Sequence, residues 1–207
     1  MTTETTTSQG YITADALKQT LSIAGQSYVD PDLGYSITAA SRAIDELCNR
    51  FFYTDTADTT RIYTPHNRYW QSIDDLVSIT TLATDTTGAM DYTQPWTQNT
   101  DYILEPINDP LRGWPYTSIV VNKLTGAVVF DPTIPASIQV TGRFGWAAVP
   151  QPIQIATSMI ASRLIRQVRD APFGVISFEG GAVRIGQMDP TVKMLVGPYM
   201  RHRIAVA

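Results

Sequence analysis

Paired carboxylates, a glycine cluster and an Asp/Gly loop are the places where this chain's residue types suggest chemistry. Asp74-Asp75 and Asp101…Glu105 have the side chains for glycoside hydrolysis, which needs two carboxylates facing one bond. Adjacent residues on a strand point to opposite faces, so Asp74 and Asp75 do not make an acid/base pair; turn and cap roles account for them better. Gly180-Gly181…Gly186 has the wrong spacing for a dinucleotide fingerprint, follows no βαβ pattern and lacks the Gly-Lys-Ser/Thr ending of a phosphate loop. It reads as a hairpin or connection. DTTGAMD at Asp85–Asp91 lacks the alternating oxygen ligands and closing Glu of a calcium loop. Two histidines, His66 and His202, and the single Cys48 do not make a zinc site. Cys48 falls in a predicted helix and reads as a small buried apolar side chain. No enzyme activity, cofactor or metal is expected.

Aromatics offer a different chemistry. Tyr69, Trp70, Trp96, Tyr102, Trp114 and Tyr116 lie in or near β-region loops, as in a stacking platform for sugars. Aromatics also fill β cores and subunit interfaces, the simpler reading. A carbohydrate-binding β module with helical accessories is the alternative from a different class.

At 207 residues and 43% hydrophobic, the chain can bury a real core without staples. Its charged share, 16%, is below the usual value of about 25%, which hints at surface covered by other protein. Residues 1–149 carry 8 Lys+Arg against 16 Asp+Glu; residues 150–207 carry 7 against 3. An acidic body with a basic C-terminal third can pair with a copy of itself or with an acidic partner. A nucleic-acid binder needs a denser basic patch. No signal-peptide layout and no apolar run of membrane-spanning length occurs; an intracellular, soluble protein is expected.

The elements that must position these residues follow from periodicity. Residues 1–10 read as a disordered N-terminus. Thr13 caps a short helix Ala14–Ser22, ended by Gly25. Asp30-Pro31 opens a helix of about five turns whose stripe is Leu33, Ile37, Ala40, Ile44, Leu47 and Phe51, with Ser36, Arg42, Asp45 and Glu46 on its other sides. Turn residues then recur every 8–12 positions, Asp74-Asp75 and Pro95 among them, as in a β-sandwich or barrel. The predicted strands are Thr60–Tyr63, Val77–Ala83, Asp101–Glu105, Ser118–Asn122, Ala127–Phe130 and Ser137–Gly142, with a hairpin loop at Asn122–Gly126. Pro150 and Pro152 open the next helix, with Ile153, Ala156, Ile160, Leu164 and Val168 as its stripe. Gly142, Gly145, Trp146 and Pro150 form the structural hinge between sheet and helix; glycine there implies positive φ or close backbone approach. Asp189-Pro190 starts a last helix near Thr191–Met200, too short to stand alone.

The stretches YITADALKQTL…DPDLGYSITAASRAIDELCNRFFY, VTGRFGWAAVPQPIQIATSMIASRLIR and DPTVKMLVGPYMR together resemble the head-to-tail connector (adaptor) proteins of long-tailed bacteriophages. The expected fold is α+β: a helical bundle domain (11–52 plus 150–172), discontinuous because an antiparallel β-sandwich-like or barrel-like domain (53–149) is inserted, with an extended C-terminal arm (173–207). The resemblance implies a virion structural protein forming a ring, usually of twelve copies, at the head-tail interface, assembled in the host cytoplasm. Its implied partners are the portal protein, a stopper or tail-completion protein, and double-stranded DNA passing through the lumen without specific binding; no membrane is involved. It also implies that the C-terminal arm reaches the portal, with Val192, Leu195, Val196 and Tyr199 as apolar anchors and Arg184, Lys193, Arg201 and Arg203 as rim charges. Another neck component, such as a stopper, is the runner-up.

Overall fold

The computed structural model describes residues 10–22, 30–124, 128–170, 175–178, 181–184 and 189–201. Residues 1–9, Gly25, the Gly126 end of the expected hairpin loop and residues 202–207 therefore lie outside the described residues. The chain divides into two compact units, Met1–Arg50 with Val149–Ala207, and Phe51–Ala148. It crosses between them twice, at 50/51 and 148/149.

The first unit is helical. Thr13 Oγ1 accepts the Ala16 amide at 3.2 Å and starts α1 (Ala14–Ser22). α2 (Asp30–Cys48) buries Leu33, Ile37, Ala40, Ile44 and Cys48 along one stripe. The expected continuation through Leu47 to Phe51 does not occur. Asn49 turns left-handed at φ 52° and ends the helix, so the stripe closes on Cys48 and Phe51 is 51% exposed. Burial pushes the Cys48 thiol up to about 11, as suits an inert packing residue. α3 (Gln151–Asp170) buries Ile153, Ala156, Thr157, Ala161 and Ile165. Its seam thus runs one residue beside the expected one, leaving Ile160 and Leu164 half-buried at the border. Leu17 and Leu21 from α1 join Leu33, Ile37, Ala40, Ala161 and Ile165 in one core. β7 (Val175–Phe178) and β8 (Gly181–Arg184) pair antiparallel.

One carboxylate departs from its expected outward place. Asp45 is 5% exposed: the Tyr11 hydroxyl donates to its Oδ1, and Arg42 Nε lies 3.1 Å from its Oδ2. Tyr11 also donates its amide to Ser41 Oγ at 3.1 Å, tying the start of the described chain to α2. Burial pushes the Asp45 carboxyl up to about 6, against the Tyr11 hydrogen bond and the Arg42 charge. A carboxyl raised in the folded state favours folding fully below pH 3.8 and loses that contribution as pH rises through about 6. Asp45→Asn is therefore expected to flatten the decline in urea midpoint between pH 4 and 7; an unchanged slope would assign the titration elsewhere.

The second unit is a single open antiparallel sheet among the described residues, not a sandwich or barrel. Its strands are β1 (Thr59–Tyr63), β2 (Trp70–Thr84), β3 (Gln94–Trp96), β4 (Tyr102–Glu105), β5 (Tyr116–Val121) and β6 (Ile138–Phe144). The order is β1-β6-β2-β5-β4, with β3 also on β2. β2 is about twice the expected length, because Asp74-Asp75 sits at an irregularity within the strand and does not end it. Its first part pairs with β5, and its part from Leu76 onward pairs with β6, with register shifts at Ser72/Leu76, Leu76/Ser78 and Ile79/Thr81. Bulges of this kind bend a strand, and residues from both wings meet in one core: Ile73, Leu76, Leu82, Trp96, Leu104, Ile119, Val140 and Phe144 among them. Residues 128–130 are not a strand. Phe130 instead donates its amide to the Arg68 carbonyl at 3.0 Å and stacks its ring on Trp96, centroids 4.7 Å apart.

Candidate functional site

The glycine-aromatic corner after β6 is a clasp. Gly145 has φ 104°, and a Cβ there would stand 1.7 Å from the Tyr53 carbonyl oxygen. Its amide donates to the Asp75 carbonyl at 2.7 Å, the Trp146 amide to the Tyr53 carbonyl at 3.2 Å, and the Asp55 amide to the Phe144 carbonyl at 2.9 Å. The Thr54 hydroxyl donates to the Trp146 carbonyl. The two ends of the β unit are thus hydrogen-bonded side by side. The Trp146 indole is 1% exposed, lies against Phe52 and Trp114 at centroid distances of 5.3 and 5.0 Å, and donates Nε1–H to Asp75 Oδ2 at 2.9 Å. Gly142 faces a bulge in β2, where a Cβ would meet the Ser78 carbonyl at 2.2 Å. Pro150 stands at the start of α3, its carbonyl accepting the Ile153 and Gln154 amides at 3.0 and 3.1 Å.

The C-terminal segment is the second candidate surface. Asp189 Oδ1 accepts the Thr191 amide at 2.8 Å and starts α4 (Pro190–Val196), followed by a 3-10 turn at Gly197–Tyr199. Asp189 also pairs with Arg163 of α3 at 2.8 Å. Val192 and Val196 are 2% and 0% exposed, and α4 packs on α3. The Arg201 amide donates to the Cys48 carbonyl at 2.8 Å, and Asn49 Nδ2 donates to the Arg201 carbonyl at 3.4 Å. Residues 189–201 are therefore folded onto their own helical unit, not extended from it. Val192 and Val196, expected as anchors on another protein, are buried in this unit. Lys193 and Met194 are exposed, and Leu195, Tyr199 and Arg201 are half-buried. Arg184 ends β8 opposite Val175; Arg203 lies outside the described residues.

The chain has the fold of chains in gene transfer agent necks. One is in the neck of an empty gene transfer agent particle computed with C6 symmetry: TM-score 0.57, 12% identity, 95% of this chain and 93% of that chain. A second is in the neck of a native particle computed with C12 symmetry: 0.53, 14%, 95% and 97%. A third is in the virion of the native particle: 0.56, 13%, 95% and 93%. No protein-family model and no curated protein matches the chain.

Most of the remaining candidate residues are engaged in packing or in local hydrogen bonds. Trp96 is 6% exposed and donates Nε1–H to Thr84 Oγ1 at 2.9 Å; Tyr102 is buried. Trp114 backs onto Trp146. Tyr69 and Trp70 keep substantial exposure, and Lys123 Nζ sits 3.9 Å above the Tyr69 ring. The six aromatics do not form one sugar platform. Asp74 and Asp75 do point apart: Asp74 meets Arg61 at 2.8 Å and the Tyr63 hydroxyl at 3.1 Å, while Asp75 faces Trp146. Asp85 Oδ1 accepts the Thr87 and Gly88 amides at 2.7 and 3.1 Å, and its Oδ2 accepts the Met90 amide at 2.7 Å. Those bonds hold its carboxyl down at about 2 and make it the knot of its own loop. No group of His, Cys, Asp and Glu suited to a metal occurs among the described residues, and no described helix is long and apolar enough to cross a membrane. The sequence signal for the Asp85 loop was its Asp-x-Thr-Gly turn chemistry; nothing local signals that Asp45 and Asp75 are buried.

Proposed function

We propose that the chain is a structural subunit of a phage-like virion neck: a head-to-tail adaptor that forms a ring between the portal and the next neck or tail protein, and extends the DNA channel. The observation that carries this reading is a fold likeness spanning 95% of the chain to chains in necks computed with C6 and C12 symmetry. Charge supports it: residues 51–148 hold 5 Lys+Arg against 10 Asp+Glu, a balance that lets DNA pass instead of gripping it. Copies related by rotation, twelve in the resemblance, would close the ring.

In this reading the portal contact falls on the exposed side of the C-terminal segment, with Lys193, Met194, Leu195, Tyr199 and Arg201 replacing the buried valines. Co-expression with the portal protein of the same particle, followed by electron microscopy, tests it. The expected result is a ring seated on the portal, weakened about tenfold or more by Met194→Asp, a change at a 70% exposed side chain. A chain that stays monomeric and ignores the portal would overturn the reading. Rings that form equally well with Met194→Asp would move the contact off α4.

A further inference from the structure

The β unit carries two exposed patches at opposite ends of its β2–β5–β4 wing. At one end, His66, Asn67, Arg68, Tyr69 and Trp70 are all exposed, beside Lys123 and the 95% exposed Leu124. The Val121 amide bonds the Tyr69 carbonyl at 2.9 Å, and Trp70 pairs with Val120, which places these residues together. Asp131 lies near Arg68, and Asp101 is tied to the Thr97 amide at 2.7 Å.

At the other end, the connection from β4 to β5 holds Ile107 at 64% and Leu111 at 86% exposure, between Glu105 and Asp109 and with Arg112 nearby. This connection is hydrogen-bonded within itself. The Leu111, Gly113 and Trp114 amides donate to the Asn108, Pro110 and Asp109 carbonyls at 3.2, 3.1 and 3.0 Å, and Trp114 rests on Trp146. Apolar side chains on a preorganised turn lose little freedom on binding. β5 separates the two ends by roughly 17 Å.

We propose that these ends bind each other between copies, the Ile107/Leu111 turn of one subunit seating on the Tyr69/Trp70/Leu124 end of the next, with Glu105 and Asp109 facing Arg68 and Lys123. This rests on the ring reading above and specifies where one copy meets the next. Each end carries both signs, and setting unlike ends together lets Glu105 and Asp109 face Arg68 and Lys123. A contact between different patches of the same chain generates rings when its rotation closes, and the aromatic and aliphatic exposure supplies the buried core such a contact needs.

Cys48, the one native cysteine, is buried, so introduced thiols report cleanly. Portal-docked rings of Trp70→Cys/Leu111→Cys treated with a two-headed maleimide are expected to give a ladder of covalent multimers, while each single variant stays monomeric. In a second arm, Arg68→Glu/Lys123→Glu is expected to cut ring yield about tenfold, and adding Glu105→Lys/Asp109→Lys to the same chain to restore it. Rings that give no ladder, or no restoration, overturn this contact and leave the ring reading standing. Failure of the unsubstituted chain to form rings on the portal overturns both.

Discussion

Gly145→Ala is expected to destabilise the β unit by about 4 kcal/mol or more, a range reached only by a few mechanisms. Two of them act here. The backbone sits at φ 104°, where side chains with a Cβ are strained. The added methyl would also stand 1.7 Å from the Tyr53 carbonyl oxygen, which is backbone and anchored by the Trp146 amide. Neither partner has somewhere to go without breaking the clasp. The measurable outcome is a melting temperature lowered by roughly 10 °C or more, or loss of soluble protein. Gly34→Ala is the matched control. Gly34 lies inside α2 with nothing within 4 Å of a built Cβ, so alanine there is expected to stabilise by about 0.5–1 kcal/mol. Equal stability of Gly145→Ala and the unsubstituted chain would show that the clasp does not hold the β unit together.

The next largest effect is expected at Trp146. Alanine removes a 1% exposed indole from between Phe52 and Trp114 and should cost about 3–5 kcal/mol. Phenylalanine keeps most of the bulk but takes the Nε1–H donor away from the buried Asp75 carboxylate. That cost is about 1–3 kcal/mol, the range for leaving a buried polar group without its partner. The order native, Phe, Ala in denaturant midpoint is the test. A Phe variant indistinguishable from native would mean that the indole contributes only volume. One indistinguishable from Ala would mean that the Asp75 bond carries the site.

The parts of this fold legible in the sequence are those whose cause is local. The stripe of α2 and the Asp189-Pro190 start of α4 follow from side chains within a few residues of one another. Gly145 was readable too, since glycine between a strand and a proline-marked helix implies special backbone, and it has both positive φ and close approach. The failures share another cause. Asp45 and Asp75 are polar residues buried by partners 34 and 71 positions away, Tyr11 and Trp146, and periodicity carries no such information. Asp74-Asp75 reads as punctuation, but one carboxylate of the pair faces Arg61 and the other an indole, so β2 continues through them with only a shift of register. The apolar face of α4 announced that something covers it without saying what. The element it packs on is α3 of the same chain.

The clasp also bears on the order in which the chain can assemble. α2 and α3 belong to one helical core, yet the whole β unit lies between them in sequence. Closing a flexible loop of that length would carry a large entropy cost. Once Tyr53 and Thr54 are bonded to Gly145 and Trp146, however, the intervening residues no longer count as loop. The helices then see a connection only a few residues long on each side. A β unit that forms first thus turns a distant pairing into a near-local one, and a longer or shorter insert closed by the same clasp would leave the helical unit's folding problem unchanged.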